Sequence, residues 1–293
     1  MTLRQALAGR RILIVGSSEG LGLGIAMECV AQGASVILSA RRESVLTEAV
    51  RRTRSAAGSG QVVDGLTCDA SQAPEVARLV VEATSALGGL DGVVNSAAIQ
   101  GPIGLVEDLD WDEWRRAVEI DLFGPVLVCR AVLPLFRRQG RGKIVNVSGG
   151  GATTPRPRFT AYAAAKAGLV RFTETLAREL EGSGVEVNAL APGALNTRML
   201  QEVLSAGPER AGHSAIADAR SHSDDGDATL RRAAALCAFL LSDRSDGISG
   251  RLISSVWDPW ETLDARAGAL AGTDVYTLRR VVPIDRGLDW DTK

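Results

Sequence analysis

The sequence predicts an α/β fold: a doubly wound parallel sheet covered by helices on both faces, three layers (α/β/α) in a single domain. Three observations carry that expectation. Short continuous apolar runs, the first at Arg11-Ile12-Leu13-Ile14-Val15, have the make-up of strands buried on both faces. They alternate with helix-length stretches along most of the chain, which calls for right-handed crossovers and a parallel sheet. A chain of 293 residues, 45% of them hydrophobic, is long and apolar enough for one large core.

Taken in order, the first strand runs into Gly16-Ser17-Ser18-Glu19-Gly20-Leu21-Gly22, and Leu23 to Gln32 reads as a helix closed by Gly33. Ser35 to Ala40 is a second strand, Glu43 to Ala57 a charged surface helix, and Gln61 to Thr67 a third strand ending at Cys68-Asp69. Ala73 to Leu87 is a helix and Gly92 to Asn95 a fourth strand. Trp111 to Arg138 reads as mostly helical, bent near Gly124-Pro125. Lys143 to Val147 and Val185 to Leu190 are strands flanking a long helix, Ala161 to Glu181. Leu230 to Leu241 is a further helix and Arg251 to Ser255 the last strand.

The domain is expected over residues 1–256, with a C-terminal extension over 257–293. Residues 198–228, rich in Ser, Ala, Gly, Asp and His, read as a mobile flap over a site or as a plain disordered loop. The extension has few periodic signals, and Trp257, Trp260 and Tyr276 are expected to pack on the body or on a second subunit.

A net charge of −2 gives no reason to expect nucleic acid or a membrane surface as partner. No apolar run approaches the ~20 residues of a membrane span. Met1 to Arg11 lacks the apolar stretch of a signal peptide. Cys29, Cys68, Cys129 and Cys237 are scattered, which suits buried free thiols in a reducing cytoplasm rather than a metal or redox motif. His213 and His222 form no ligand set, so no metal is expected.

The glycine turn sits between a strand and a helix, the context in which it binds phosphate. Glycine permits backbone angles that a side chain forbids, and a pyrophosphate can then approach the free N–H groups of the helix start. At the end of the second strand, where an acidic residue would hold the ribose hydroxyls of NAD, stand Ala40, Arg41 and Arg42. A guanidinium matches the 2′-phosphate of NADP, so NADP(H) is favoured over NAD(H), with Glu19 an adverse charge nearby. Tyr162 and Lys166 lie four apart with only alanines between, one above the other on a helix. The ammonium is expected to lower the pKa of the phenol toward that of a working general acid/base.

These residues resemble the short-chain dehydrogenase/reductase superfamily. The glycine turn, Asp69, Asn95-Ser96-Ala97-Ala98, Tyr162-x-x-x-Lys166, and Pro192-Gly193 with Thr197 stand in that family's order and spacing, over roughly residues 9–256. The resemblance implies a Rossmann-type subunit, a homodimer or homotetramer, transferring hydride between a nicotinamide and a small-molecule carbonyl or secondary alcohol. It implies cofactor contacts at Gly16, Ser18, Glu19, Gly20, Leu21, Gly22, Arg41, Arg42, Asp69, Ala70, Asn95, Ala97, Tyr162, Lys166, Pro192, Gly193, Leu195 and Thr197. Within that set Asp69 meets the adenine, Asn95 supports the sheet, Lys166 holds the nicotinamide ribose, and Pro192, Gly193 and Thr197 hold the carboxamide side. The catalytic set it implies is Tyr162, Lys166, Ser148 and Asp121.

Three departures qualify the resemblance. The family's Asn-Asn-Ala-Gly is here Asn95-Ser96-Ala97-Ala98, and its proton-relaying asparagine falls on Asp121, which when ionised only accepts hydrogen bonds. The catalytic serine expected thirteen residues before the tyrosine falls on Gly149, with Ser148 one position earlier. Either a shifted register at Gly149-Gly150-Gly151 turns Ser148 into the site, or Ser148 points into the sheet and backbone N–H groups replace it. If the serine is simply lost, the alternatives are a non-redox enzyme (epimerase or dehydratase) or a dinucleotide-binding sensor. On the substrate side stand Gly149, Gly150, Arg156, Arg158 and Met199, with Gln100 to Gly104 as a further wall. Arg156 and Arg158 fit an anionic substrate, or are solvated surface charge.

Overall fold

Seven strands, all parallel, form the sheet of the computed structural model, which describes residues 5–221 and 226–290. They are β1 (Arg11–Val15), β2 (Ser35–Ala40), β3 (Val63–Thr67), β4 (Gly92–Asn95), β5 (Gly142–Val147), β6 (Val185–Ala191) and β7 (Leu252–Ser254), in the spatial order β3-β2-β1-β4-β5-β6-β7. Between them run α1 (Gly20–Ala31), α2 (Glu43–Arg54), α3 (Ala73–Leu87), α4 (Trp111–Val118), α5 (Gly124–Gln139), α6 (Thr160–Glu179), α7 (Arg198–Ala211), α8 (His213–Ser221) and α9 (Gly226–Leu241).

The strand order reverses between β1 and β4, so the chain leaves those two neighbours in opposite directions and a crevice opens beyond their carboxyl ends. Apolar residues fill both faces of the sheet. Ile25, Cys29 and Ala238 belong to the core on one side, Val76, Val132 and Leu176 to the core on the other. All four cysteines are free and buried, as expected. No helix among the described residues is long and apolar enough to cross a membrane.

Three sequence expectations are made specific by the structure. The bend before Gly124-Pro125 is a π-helical turn, Glu119–Phe123. Pro125 has no N–H to offer the carbonyl four residues back, and the wider turn absorbs that loss between α4 and α5. Second, the segment read as a flap or loop is helical in its described part. Val203, Ala211, Ile216 and Ala219 of α7 and α8 bury against Ile103 and Phe159 in a small core of their own. The helix α7 is broken where Gly207 takes φ 70° ahead of Pro208. His222 lies outside the described residues.

Third, the extension divides. Trp260 is buried against Phe239, whereas Trp257 is 84% exposed. Tyr276 lies along β7, its carbonyl accepting from Leu252 N–H at 2.8 Å. The Arg251 guanidinium ties the extension down by donating to the carbonyls of Leu270, Thr273 and Val275.

Candidate active site

A cavity of about 1130 Å³ lies at the carboxyl ends of the strands, lined by the glycine turn at one end and by Tyr162 toward the other. The turn is shaped by contacts that only glycine permits. A β-carbon on Gly16, whose φ is +82°, would sit 2.3 Å from the Ala97 nitrogen, and one on Gly22 would sit 2.0 Å from the Gly16 carbonyl oxygen. The turn thus delivers the N-terminus of α1 to the cavity without a side chain over its free N–H groups.

Every cofactor residue expected from the sequence lines this cavity except Asn95. Asn95 is buried in the sheet, donating to Asn146 Oδ1 at 2.8 Å, while Asn146 in turn donates to Thr173. It joins β4, β5 and α6. The Asp69 carboxylate is already engaged, accepting from Ser71 and from Arg116 at 2.7 Å. Glu19 is paired: its Oε1 is 2.9 Å from Arg42 and 2.8 Å from Arg198 at the start of α7. Arg41 is exposed beside them.

Helix α6 carries the chemistry. Tyr162 and Lys166, 8% and 2% exposed, face the cavity one turn apart, the ammonium 5.6 Å from the ring centroid. Lys166 Nζ donates to the Val147 carbonyl at 3.0 Å and lies 3.7 Å from Asp121 Oδ2. Asp121 stands in the π turn, with Oδ1 accepting from the Ile99 N–H at 2.9 Å. Burial lifts its carboxyl to about 6, against the pull of Lys166.

Burial, and after it the Asp121 charge, push the Tyr162 hydroxyl well above the ordinary phenol range, and the charge working the other way is Arg156. The lysine's own pKa is lowered by burial, which Asp121 opposes. Helical spacing brings Lys166 and Tyr162 to one cavity, and the carboxylate beside Lys166 comes from the π turn.

At the serine position the register is not shifted. Ser148 N–H donates to Leu190 O at 2.8 Å, extending the β5–β6 ladder by one residue. Its hydroxyl is buried without a hydrogen-bond partner among the described residues, although the residue borders the cavity. A β-carbon on Gly149 would fall 2.2 Å from Tyr162 Oη, so the phenol occupies the volume that a serine side chain would need.

Arg156 and Arg158 part company. Arg156 lines the cavity with its guanidinium 3.9 Å from the centre of the Phe159 ring and 5.7 Å from that of Tyr162, and burial lowers its pKa. Arg158, at φ +72°, instead donates to the carbonyls of Glu209 and Arg210, holding α7 in place outside the main cavity. Gln100 reaches the main cavity with Nε2 unpartnered, whereas Pro102 to Gly104 line a smaller neighbouring cleft. Gly150 and Met199 line the main cavity as expected. The sequence reading missed Asp258, Tyr276 and Thr277, which the extension brings to this cavity; no local motif marks them.

A family model described as Enoyl-(Acyl carrier protein) reductase matches residues 15–255. The chain is similar to dehydrogenase/reductase SDR family member 4 of Homo sapiens, 34% identical over 197 residues, 67% of this chain and 70% of that protein. It is similar to D-beta-hydroxybutyrate dehydrogenase of Cupriavidus necator, 33% identical over 206 residues, 70% of this chain and 78% of that protein. Among solved structures it is similar to a variant actinorhodin polyketide ketoreductase with NADPH, with a TM-score of 0.76 at 29% identity, covering 84% of this chain and 95% of that one.

Proposed function

The chain belongs to the short-chain dehydrogenase/reductase superfamily and is an NAD(P)-dependent oxidoreductase; from that premise we propose that it prefers NADP(H) and interconverts the carbonyl and secondary alcohol of a small anionic substrate, with Tyr162 as the proton-exchanging group. The observation that carries this reading is the shared cavity: the glycine cradle and the Tyr162 hydroxyl line one continuous space, which suits a dinucleotide extending from one to the other.

The nicotinamide, when bound, supplies or takes up the hydride at the substrate carbon. The protein does the rest. Gly20 and its neighbours present N–H groups to the pyrophosphate. Arg41 and Arg42 meet the 2′-phosphate, Arg42 exchanging Glu19 for it. Tyr162 Oη holds the proton passed to or from the substrate oxygen. Gly149 leaves room for that hydroxyl, so loss of the family's serine does not favour a non-redox use of the site.

Arg156 supports an anionic substrate. Its guanidinium stands on the substrate side of Tyr162 with no carboxylate paired to it among the described residues, and the name of the Cupriavidus relative specifies a hydroxy acid. Residues 198–221, held by Arg158 and Glu19, act as the substrate cover. A homodimer or homotetramer suits the exposed Trp111, stacked on the half-buried Trp114 of α4, and a cytoplasmic setting suits the free buried thiols.

Turnover of paired ketones with and without a carboxylate, followed by nicotinamide absorbance, tests this reading. The expected outcome is turnover of the keto acids, a KM for NADPH about tenfold below that for NADH, and a keto-acid KM raised about tenfold by Arg156→Ala. Equal use of both cofactors and of neutral ketones would contradict it.

A further inference from the structure

The extension closes one side of the cavity with residues beyond the family match, which ends at residue 255. Val256 packs on Gly193, where a β-carbon would fall 2.6 Å from it. The chain returns at Tyr276, whose carbonyl accepts from the Leu252 N–H of β7. Leu278 then packs on Ala152, Val170 and Ala189, the first of them in the loop that leads to Tyr162. Asp258, Tyr276 and Thr277 thus wall the Tyr162 end of the cavity rather than the glycine-turn end. We propose that Asp258 is a specificity-determining residue: its carboxylate accepts a hydrogen bond from a substrate hydroxyl, so that hydroxylated carbonyl compounds are preferred. This rests on the reading of the cavity as the site of carbonyl and alcohol chemistry.

This wall is held on both sides of its cavity residues. Before them, Arg251 grips the carbonyls of Leu270, Thr273 and Val275. After them, the Leu278 N–H donates to Glu174 of α6 at 2.6 Å, and the Leu278 carbonyl accepts from Arg171. Between the two clamps Tyr276 takes φ +61°, a left-handed backbone that strains a side chain. Such strain persists only where the surroundings fix it. Thr277 spends its hydroxyl on the Asp274 carbonyl at 2.6 Å, which leaves Asp258 as the charged group of this wall.

Asp258 is half-buried, and no cation is paired with it among the described residues. Its Oδ2 accepts from the Ser254 N–H at 2.7 Å. Burial raises its pKa, and that hydrogen bond opposes the rise. A carboxylate can accept several hydrogen bonds, so its other oxygen remains available to a ligand. Arg156, on the same cavity, can only donate. A substrate carboxylate is therefore drawn to Arg156 and repelled by Asp258, whereas a hydroxyl suits Asp258. An anionic hydroxyketone finds a place for each of its groups, with the carbonyl oxygen at Tyr162.

Reduction with NADPH of two sets of ketones tests the proposal. One set is butanone and its forms hydroxylated one or two carbons from the carbonyl; the other is levulinate and its terminally hydroxylated form. A hydroxyl also changes the intrinsic reactivity of the carbonyl, so the readout is the change in the hydroxylated-to-plain ratio of kcat/KM between the natural protein and Asp258→Asn. The amide can keep its oxygen on the Ser254 N–H, which turns an NH₂ donor toward the cavity. The ratio should fall about tenfold for at least one hydroxyl position. A ratio that does not fall would overturn the proposal, as would a variant whose single effect is a raised KM for NADPH, since Asp258 would then serve the cofactor. Should Asp258→Asn fail to fold, levulinate and its terminally aminated form decide on the natural protein. An ammonium facing a carboxylate should lower KM about tenfold, and an equal or higher KM would overturn the proposal. Turnover of none of these ketones would sink the underlying reading of the cavity and this inference with it. A preference for levulinate over butanone that survives Arg156→Ala would sink the role of Arg156 alone and leave that of Asp258 standing.

Discussion

The two ends of the sheet each bury a carboxylate, and the two are treated in opposite ways. Asp91, just before β4 at the amino end, is 3% exposed and accepts four hydrogen bonds: from the Arg11 backbone at 3.0 Å, from Arg11 Nε at 2.8 Å and Nη2 at 3.0 Å, and from Arg141 Nη2 at 2.8 Å. Burial alone would raise its pKa, but the two guanidinium groups overcome burial and hold it at about 2. Asp121, at the carboxyl end, has one backbone hydrogen bond and an ammonium beyond hydrogen-bonding reach, and burial wins. A buried charge whose acceptor sites are filled clamps strands together. One left partly unpaired remains responsive to its neighbours, which is the condition a proton-handling site requires.

Substitutions at the two ends should therefore cross over in their effects. Tyr162→Phe should cut turnover about 10³-fold, with thermal stability and cofactor affinity nearly unchanged. Asp91→Ala should leave turnover intact but lower folding stability by about 2 kcal/mol at pH 7, since its folded pKa lies below the unfolded one by nearly two units. That stability is present above the unfolded value of 3.8 and is lost as pH falls through about 2, so denaturant melts of the natural protein and variant should converge in acid. If Asp91→Ala slowed chemistry as much as Tyr162→Phe, the division between the two ends would fail.

A smaller effect sharpens the comparison. Gly149→Ser restores the residue type expected from the family resemblance, yet its β-carbon would fall 2.2 Å from Tyr162 Oη. The phenol must shift, and turnover should drop about tenfold with cofactor affinity unchanged. An unchanged or raised kcat would mean that the phenol has room to move and that its contact with Gly149 does not position it.

The cofactor half was legible from sequence because its signals are local. The run Arg11 to Val15, the glycines at 16, 20 and 22 and the strand ending at Ala40 each declare themselves within a few residues, and their spacing leaves few topologies open. The catalytic half depended on distant partners. Tyr162 and Lys166 were visible as a helical pair, but burial and then Asp121 shift both groups, and the approach of Asp121 depends on a π turn that composition does not announce. Arg156 and Arg158 look equivalent in sequence; the left-handed backbone at Arg158 sends it to α7 instead of the cavity.

At residues 198–221 composition suggested a flap or a loop, and the segment is helical. The apolar residues Leu200, Val203 and Leu204 were spaced for a helix, and they help to form the separate core over Phe159. The arrival of Tyr276 and Thr277 at the cavity could not be read locally either, because Arg251, some twenty-five residues earlier, ties that part of the extension down.

A crystal structure with NADP(H) bound tests the central claim most directly. The pyrophosphate is expected on the glycine turn at Gly16 to Gly22, and the nicotinamide ring beside Tyr162 Oη with its ribose on Lys166. A ring lying outside this cavity, or a Tyr162 hydroxyl turned away from it by more than the width of a water molecule, would contradict the account.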